Sequence, residues 1–330
     1  MSTFKALLAT QDDNGKTSAE ITDLTEDDLP NEAVLVDVEY STVNYKDGLA
    51  VTNTLPIIAK YPMVCGIDLA GTVAASLSDA WKAGDKVLVN GYGLSERHWG
   101  AYTQKQRVNP DFLVQVPDAL TTEECMAIGT AGYTSMLAVN VIRDHGVTPD
   151  DGPILVTGSA GGVGSVAILL LDKLGYEVVA STGRPETADY LKSLGASSIV
   201  ARDDLARKSK PLEKENYAGC VDSVGSSTLA TTLAQMKYNG IVAACGLDGG
   251  PDLPGTVMPF LLRNVCLQGV DSVMAPMAAR ERAWSDLAEL LALSKLKDVY
   301  EVKPLSDVPE LAASILKGQI KGRVVIDVNS

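Results

Sequence analysis

The chain has 330 residues, 46% of them hydrophobic, and a formal net charge of −14. That length allows a large core divided between two domains. The acidic balance argues against broad binding to nucleic acid or to an anionic membrane, while leaving room for an anionic ligand in a locally basic cleft. The five cysteines (Cys65, Cys125, Cys220, Cys245 and Cys266) are scattered, odd in number and never in a C-x-x-C pair. They read as reduced thiols in a cytoplasmic protein. "MSTFKALLATQDD" shows no basic segment followed by an apolar one, and no uncharged apolar stretch is long enough to span a bilayer.

In chain order, the part up to about residue 125 reads as strands broken by turns: "AVLVDVEYSTV", then "PMVCGIDLAGTVAAS", then "AGDKVLVNGYG" with its Gly-Asp turn. Helical periodicity follows in "TTEECMAIGTAGYTSMLAVNVIRDHG", with Thr121 or Thr122 able to cap its start. From residue 154 the rhythm is strand, helix, strand. "ILVTG", "EVVAST", "SSIVA", "AGCVDSVG", "GIVAACG" and "VCLQGVD" are short apolar strands, and "GVGSVAILLLDKLG", "ETADYLKSLG" and "TLATTLAQMK" are helices. Such alternation predicts an α/β domain with a doubly wound parallel sheet of Rossmann type. The tail "VYEVKPLSDVPELAASILKGQIKGRVVIDV" returns to strand, helix, strand. The expected organisation is a strand-rich domain over 1–125, a dinucleotide-binding domain over 126–295 with a cleft between the two, and a return segment over 296–330 that packs on the first domain.

"TGSAGGVGSV" places Gly158, Gly161 and Gly164 in a G-x-x-G-x-x-G spacing, with Gly162 extra. The loop follows a predicted strand and opens a predicted helix, the context in which backbone amides and a helix dipole hold a pyrophosphate. About twenty residues on, the second strand ends in Ser181, Thr182, Gly183 and Arg184. A carboxylate there would hold the adenosine ribose and repel a 2′-phosphate. Two hydroxyls, a glycine amide and a guanidinium do the reverse, so the residues point to NADPH rather than NADH. Arg202, after "SSIVA", can flank the phosphate or adenine.

Other chemistries lack their residues. Tyr-x-x-x-Lys does not occur, and the only histidines are His98 and His145. His98 in "SERHWGAY" reads as structural and His145 in "RDHGVTP" as a helix-end residue. Where zinc alcohol dehydrogenases carry Gly-His-Glu, "CGIDLAG" has Ile67 and Asp68. The expectation is therefore no metal, with Cys65 a small buried side chain.

The order strand-rich domain, Rossmann domain, return segment resembles the medium-chain dehydrogenase/reductase superfamily. "STVNYKDGLA", "PMVCGIDLAGTV", "GTAGYTSMLA", "TGSAGGVG", "DYLKSLGAS" and "QIKGRVVIDV" resemble its zinc-free quinone-oxidoreductase-like branch. "VMPFLLRNVCLQGVDSVM" and "ACGLDGG" are similar to the acryloyl-CoA reductases of AcuI/YhdH type. The resemblance implies a GroES-like first domain, a cytoplasmic homodimer, and NADPH-dependent reduction of the acryloyl-CoA double bond to give propanoyl-CoA. It implies cofactor contacts at Tyr45, Ala160, Gly161, Gly162, Val163, Ser181, Thr182, Gly183, Arg184, Arg202, Leu247, Ser272 and Arg323. The loop reads "GSAGGVG" where relatives often have "GASGGVG", so backbone rather than hydroxyl contacts are expected there.

For such a reaction Asn44 and Tyr45, or backbone amides, are candidate donors near the reacting carbonyl. Tyr45 either meets the nicotinamide, donates a proton or packs as a core aromatic. Arg323 is a candidate for a phosphate or the carbonyl. Lys46 and Asp47 read as turn and surface residues. Two alternatives stay open: an NADPH:quinone oxidoreductase, and a non-enzymatic NADPH-binding protein.

Overall fold

A computed structural model describes residues 2–330. Two compact units emerge. One comprises residues up to Thr130 together with Ser272–Glu281 and Lys297–Ser330; the other comprises Ala131–Asp271 and Arg282–Leu296.

The first unit is built on antiparallel sheet. Phe4–Gln11 pairs with Thr17–Leu24 and Met63–Val64 in a three-stranded sheet. A seven-stranded sheet runs Tyr300–Pro304, Arg323–Asp327, Val34–Thr42, Asp68–Ser76, Lys86–Asn90 and Val114–Gln115, with Lys105–Val108 also on Val34–Thr42. Val34, Val36 and Val38 point alternately inward from their strand and share a core with Leu69, Val87, Val89, Val324 and Ile326. The period of two that marks these strands in the sequence is thus the period of the pleat. Tyr300–Pro304 and Arg323–Asp327 run parallel, joined by the helix Val308–Leu316.

The first unit differs from the expected boundaries in three places: it extends to Thr130 rather than to residue 125, it resumes at Lys297 rather than at residue 296, and it takes in an internal segment. Ser272–Glu281, which the strand–helix rhythm assigns to the Rossmann domain, belongs to the first unit. Arg280 is the cause. Its guanidinium is 1% exposed and donates to the carbonyls of Ala275 (3.0 Å), Asn90 (2.6 Å), Ser272 (3.1 Å) and Val273 (2.6 Å). It also lies 3.8 Å from the centre of the Tyr92 ring. A buried cation must have its donors satisfied, and satisfying them ties this segment to Asn90.

The second unit is a six-stranded sheet, parallel throughout, in the order Ser198–Ala201, Val178–Thr182, Ile154–Val156, Tyr217–Asp222, Met236–Ala244, Cys266–Gly269. Val178–Thr182, Ile154–Val156 and Tyr217–Asp222, three adjacent inner strands, are buried at every residue, which is why they read as largely apolar runs. The strand order reverses beside Ile154–Val156, the switch point at which doubly wound sheets bind ligands.

The helix Thr122–Asp144 carries the chain out of the first unit. It contains an 18-residue window of mean hydropathy 1.4, long and apolar enough for a membrane span, contrary to the sequence expectation; 83% of that window is buried inside the protein, as in a core helix. It is also not continuous. Gly129 has φ 52° and ψ −166°. A side chain there would lie 2.8 Å from Thr42 Cγ2 and 3.1 Å from Asp68 Oδ2, and would strike the Arg323 guanidinium. Replacing Gly129 by Ala combines a left-handed backbone penalty with overpacking and is expected to destabilise the protein by about 2–4 kcal/mol. Urea denaturation of wild type and Gly129→Ala measures it; a shift below about 0.5 kcal/mol would mean the bend is not held by this crowding.

Candidate active site

In the second unit the chain leaves Ile154–Val156 and turns through Gly158 at φ 59°. A Cβ at Gly158 would collide with the Ser223 hydroxyl, so the position needs glycine for space as well as for φ. The turn delivers Gly161 as N-cap of the helix Gly162–Lys173, with no side-chain cap. The first-turn amides are left for a ligand, at the positive end of the helix dipole. A Cβ built on Gly161 would meet only the Gly158 carbonyl oxygen, at 3.3 Å. Ser159 points inward, its hydroxyl donating to the Val156 carbonyl at 2.6 Å, so the loop offers backbone donors.

Beside this loop lies the end of Val178–Thr182. The Arg184 side chain donates to the Ala160 carbonyl at 3.2 Å. A Cβ on Gly183 would come within 2.5 Å of the Arg202 guanidinium carbon. Two guanidinium groups therefore flank the exposed Gly183. The two hydroxyls behave differently from expectation. Ser181 and Thr182 are buried, at 3% and 7% exposure. Thr182 Oγ1 accepts the Arg184 amide at 3.0 Å. Thr187 gives its one proton to the Arg184 carbonyl (2.6 Å), so across the 3.3 Å contact between the two hydroxyls Thr182 is the donor. Thr182 thus shapes the loop and has no proton left for a phosphate. Leu247 stands 64% exposed on the loop after Met236–Ala244, and its neighbour Asp248 is near enough to attract Arg202.

These donors fit an NADP-type dinucleotide: a clear backbone loop at a helix start for the pyrophosphate, and two arginines beside a second strand that ends in Ser181, Thr182, Gly183 and Arg184 rather than in an acid. Asp222 supports the arrangement and was not singled out in the sequence. Fully buried at the end of Tyr217–Asp222, it accepts Thr157 Oγ1 at 2.7 Å and the Gly225 amide at 2.9 Å, joining the loops that follow two adjacent strands. Burial raises its carboxyl above the ordinary range, and those hydrogen bonds oppose the rise. An acid inside the apolar run "AGCVDSVG" was the available signal.

The first unit holds a buried polar network. Asp68 Oδ2 accepts Asn44 Nδ2 and the Thr130 amide, both at 2.8 Å, and Oδ1 accepts Asn90 Nδ2 at 2.8 Å and the Thr130 hydroxyl. Arg323, 3% exposed, donates to Ala127 O (3.2 Å), Val43 O (3.3 Å), Asn44 Oδ1 (3.1 Å) and Thr42 Oγ1 (2.8 Å). Asp47 Oδ2 accepts the Asn44 amide at 2.8 Å and Asn44 Nδ2 at 3.2 Å, while Oδ1 accepts the Ile67 amide at 3.0 Å.

Several expectations change accordingly. Asn44 has both amide hydrogens and its oxygen engaged with Asp47, Asp68 and Arg323, so it is not a free donor to a substrate oxyanion. Arg323, buried and directed at protein acceptors, is not placed to hold a phosphate. Asp47 is no surface residue: it is fully buried. Lys46 pairs with Glu96. Tyr45 begins the helix Tyr45–Thr52, is 49% exposed, and is no core aromatic. Its hydroxyl has no hydrogen-bond partner among the described residues. Ser272 is fixed through its carbonyl by Arg280. Cys65 is buried, its thiol pushed up to about 12 by desolvation. Among the described residues no three His, Cys, Asp or Glu side chains converge as a metal site.

Burial, with the nearby Asp68 charge, pushes the Asp47 carboxyl up to about 7. The folded state then binds a proton that the unfolded chain releases near its ordinary carboxylate pKa of about 4. The Asp47 contribution to stability is therefore present at low pH and is lost as pH rises from about 4 to about 7. Asp47→Asn is expected to lower stability by about 1–3 kcal/mol, since its amide cannot accept all three hydrogen bonds, and to flatten the fall between pH 5 and pH 7.5. Denaturant midpoints at both pH values test this; an unchanged slope would show that Asp47 does not titrate there.

Residues 30–118 match the alcohol dehydrogenase GroES-like domain model, and residues 162–292 the zinc-binding dehydrogenase model. The chain is 56% identical to acrylyl-CoA reductase AcuI of Ruegeria pomeroyi, over 99% of this chain and 100% of that one. The crystal structure of the YhdH oxidoreductase of Salmonella enterica in complex with NADP is 50% identical, with a TM-score of 0.96, over 98% of this chain and 99% of that one. The structure of Bacillus subtilis YhfP with NAD bound is 40% identical, with a TM-score of 0.95, over 99% and 100% of the two chains; YhfP is named a putative quinone oxidoreductase. With a GroES-like domain, a Rossmann domain and full-length likeness of this order, the chain belongs to the medium-chain dehydrogenase/reductase superfamily and, within it, to the AcuI/YhdH family of acrylyl-CoA reductases.

Proposed function

We propose that this protein is an acryloyl-CoA reductase that converts acryloyl-CoA, NADPH and a proton to propanoyl-CoA and NADP+. The observation that carries the reading is the pair Arg184 and Arg202 around Gly183, where an NADH site would hold a carboxylate, in a chain that matches AcuI over 99% of its length. A conjugated thioester is electrophilic at its β-carbon; bound NADPH supplies the hydride that forms the new C–H bond there.

The protein's own part is to bind, orient and stabilise charge. Gly161 to Val163 hold the pyrophosphate through backbone amides, and Arg184 and Arg202 hold the 2′-phosphate. Leu247 and Ser272 are further contacts to the dinucleotide. As the β-carbon gains hydride, charge builds on the thioester oxygen as an enolate, and a proton must reach the α-carbon. Tyr45 is the donor we assign to the oxyanion, because its hydroxyl is exposed and uncommitted. Asn44, Asp47 and Arg323 act through Tyr45: Asn44 is the N-cap of its helix and Asp47 closes that cap. The reading includes, from the family resemblance, a homodimer in the cytoplasm. The five cysteines are all free thiols, in keeping with a reducing compartment.

A second reading, reduction of quinones, is favoured by the 40% identity to YhfP. NADPH oxidation measured in parallel with acryloyl-CoA, crotonyl-CoA and a small quinone separates them. Saturable propanoyl-CoA formation, with acryloyl-CoA preferred, is the expected outcome; turnover confined to the quinone would overturn it. Arg184→Ala removes a charge-assisted contact of about 1.5–3 kcal/mol, so NADPH affinity is expected to fall roughly ten- to a hundredfold. NADH, lacking the 2′-phosphate, is expected to keep its affinity. Equal losses in a fluorescence titration of both cofactors would make Arg184 a structural residue instead.

A further inference from the structure

A cavity of about 410 Å³ in the first unit lies outside every contact assigned above. Its size falls within the range of small-molecule sites. We infer that it is the subsite for the phosphorylated nucleotide end of the coenzyme A thioester, an inference that rests on the acryloyl-CoA reading.

Three cations line it: Lys60, Arg97 and Arg107. None of the three is in an ion pair among the described residues. Lys60 and Arg97 are exposed, and Arg107 makes only a 3.5 Å contact with the Glu32 carbonyl. Two carboxylates share the lining, Asp28 and Glu32. Three cations against the two carboxylates of the lining leave it with a net charge of +1 in a chain of net charge −14, a locally basic site on an acidic protein. Asp28 is turned to Thr25, whose amide and hydroxyl donate to it at 2.7 and 2.8 Å.

The walls suit a flat base. Trp99 is held by its indole N–H on the Pro62 carbonyl at 3.1 Å. Phe112 stacks on Tyr92 with ring centres 4.5 Å apart, and His98 meets Phe112 edge-on at 5.1 Å. Held rings beside guanidinium and ammonium groups are the combination that receives an aromatic base carrying phosphates. The cavity is also joined to the catalytic helix. Glu96 pairs with Lys46, the residue after Tyr45, and Arg97 and His98, the next two residues, line the cavity. A thioester at Tyr45 and a nucleotide in the cavity would thus be held by one loop. The coenzyme carries a 3′-phosphate and a pyrophosphate, and the donors around Arg184 are already assigned to the dinucleotide's own phosphates.

The test compares acryloyl-CoA with acryloyl-N-acetylcysteamine, which has the same reacting thioester and no nucleotide. In a Lys60→Ala/Arg97→Ala double variant, the ratio of kcat/KM for the first substrate to that for the second is expected to fall about tenfold or more, chiefly through KM. Lys16→Ala, an exposed cation elsewhere, controls for net charge. Equal losses on both thioesters, or no loss on either, would overturn the proposal. Calorimetry on the NADPH-loaded protein gives a readout independent of turnover: adenosine 3′,5′-bisphosphate is expected to bind wild type and to bind the double variant at least about tenfold more weakly. Binding of inorganic phosphate as tight as the nucleotide would show a plain anion site and would also overturn it. If wild type binds the nucleotide in this way but does not reduce acryloyl-CoA, the activity reading fails and the nucleotide site stands.

Discussion

The Asp68 carboxylate organises the first unit. Buried charge is expensive unless every lone pair is used, and Asp68 receives four donors from Asn44, Asn90 and Thr130. Those donors come from a loop, a strand end and a bent helix, so one acid fixes three segments. The Thr130 amide is available only because the helix Thr122–Asp144 breaks at Gly129, and the same break turns the Ala127 carbonyl to Arg323. Arg323 returns the charge and binds the oxygen of Asn44. Asn44 is thereby locked as the residue from which the Tyr45 helix starts. Ile67 stands where zinc alcohol dehydrogenases carry the histidine of Gly-His-Glu, and Asp68, the next residue, is a carboxylate with a structural task.

A second economy of donors operates in the Rossmann unit. In the proposed site the glycine loop offers its ligand amides alone, because its one serine is turned into the core. Thr182, which stands where a phosphate donor is wanted, folds the loop that presents Arg184. In the proposed NADPH site direct recognition falls to the two long cations Arg184 and Arg202, and Thr182 sets the backbone of Arg184. Such a division is favourable for an anion site: a guanidinium keeps its charge at any working pH, whereas the hydroxyls keep the loop in one shape before the ligand arrives.

Arg280 plays a comparable part for the Ser272 loop. Its guanidinium donates to four carbonyl oxygens and lies over the Tyr92 face. A cation solvated by carbonyls holds backbone, and so positions Ser272 without touching a ligand itself.

Much of this was legible beforehand. The parallel sheet followed from largely apolar strands, the glycine loop from its place between strand and helix, and the contrast of Arg184 with the usual acid from chemistry at one position. These are local signals, in which each residue reports its own neighbourhood along the chain. What the sequence concealed is long-range. Asp47 reads as a turn residue because it sits in "NYKDG", yet it is buried by contacts from elsewhere in the chain, among them the Ile67 amide. Gly129 reads as one more residue in a helical pattern until Thr42, Asp68 and Arg323 crowd it. Arg280 carries no local signal of its role, because its donors meet Asn90, far back in the sequence. Residue type and spacing determined the elements and the cofactor class. Only the tertiary structure decided which polar atoms are free and which are already bonded, because that depends on partners distant in sequence and adjacent in space.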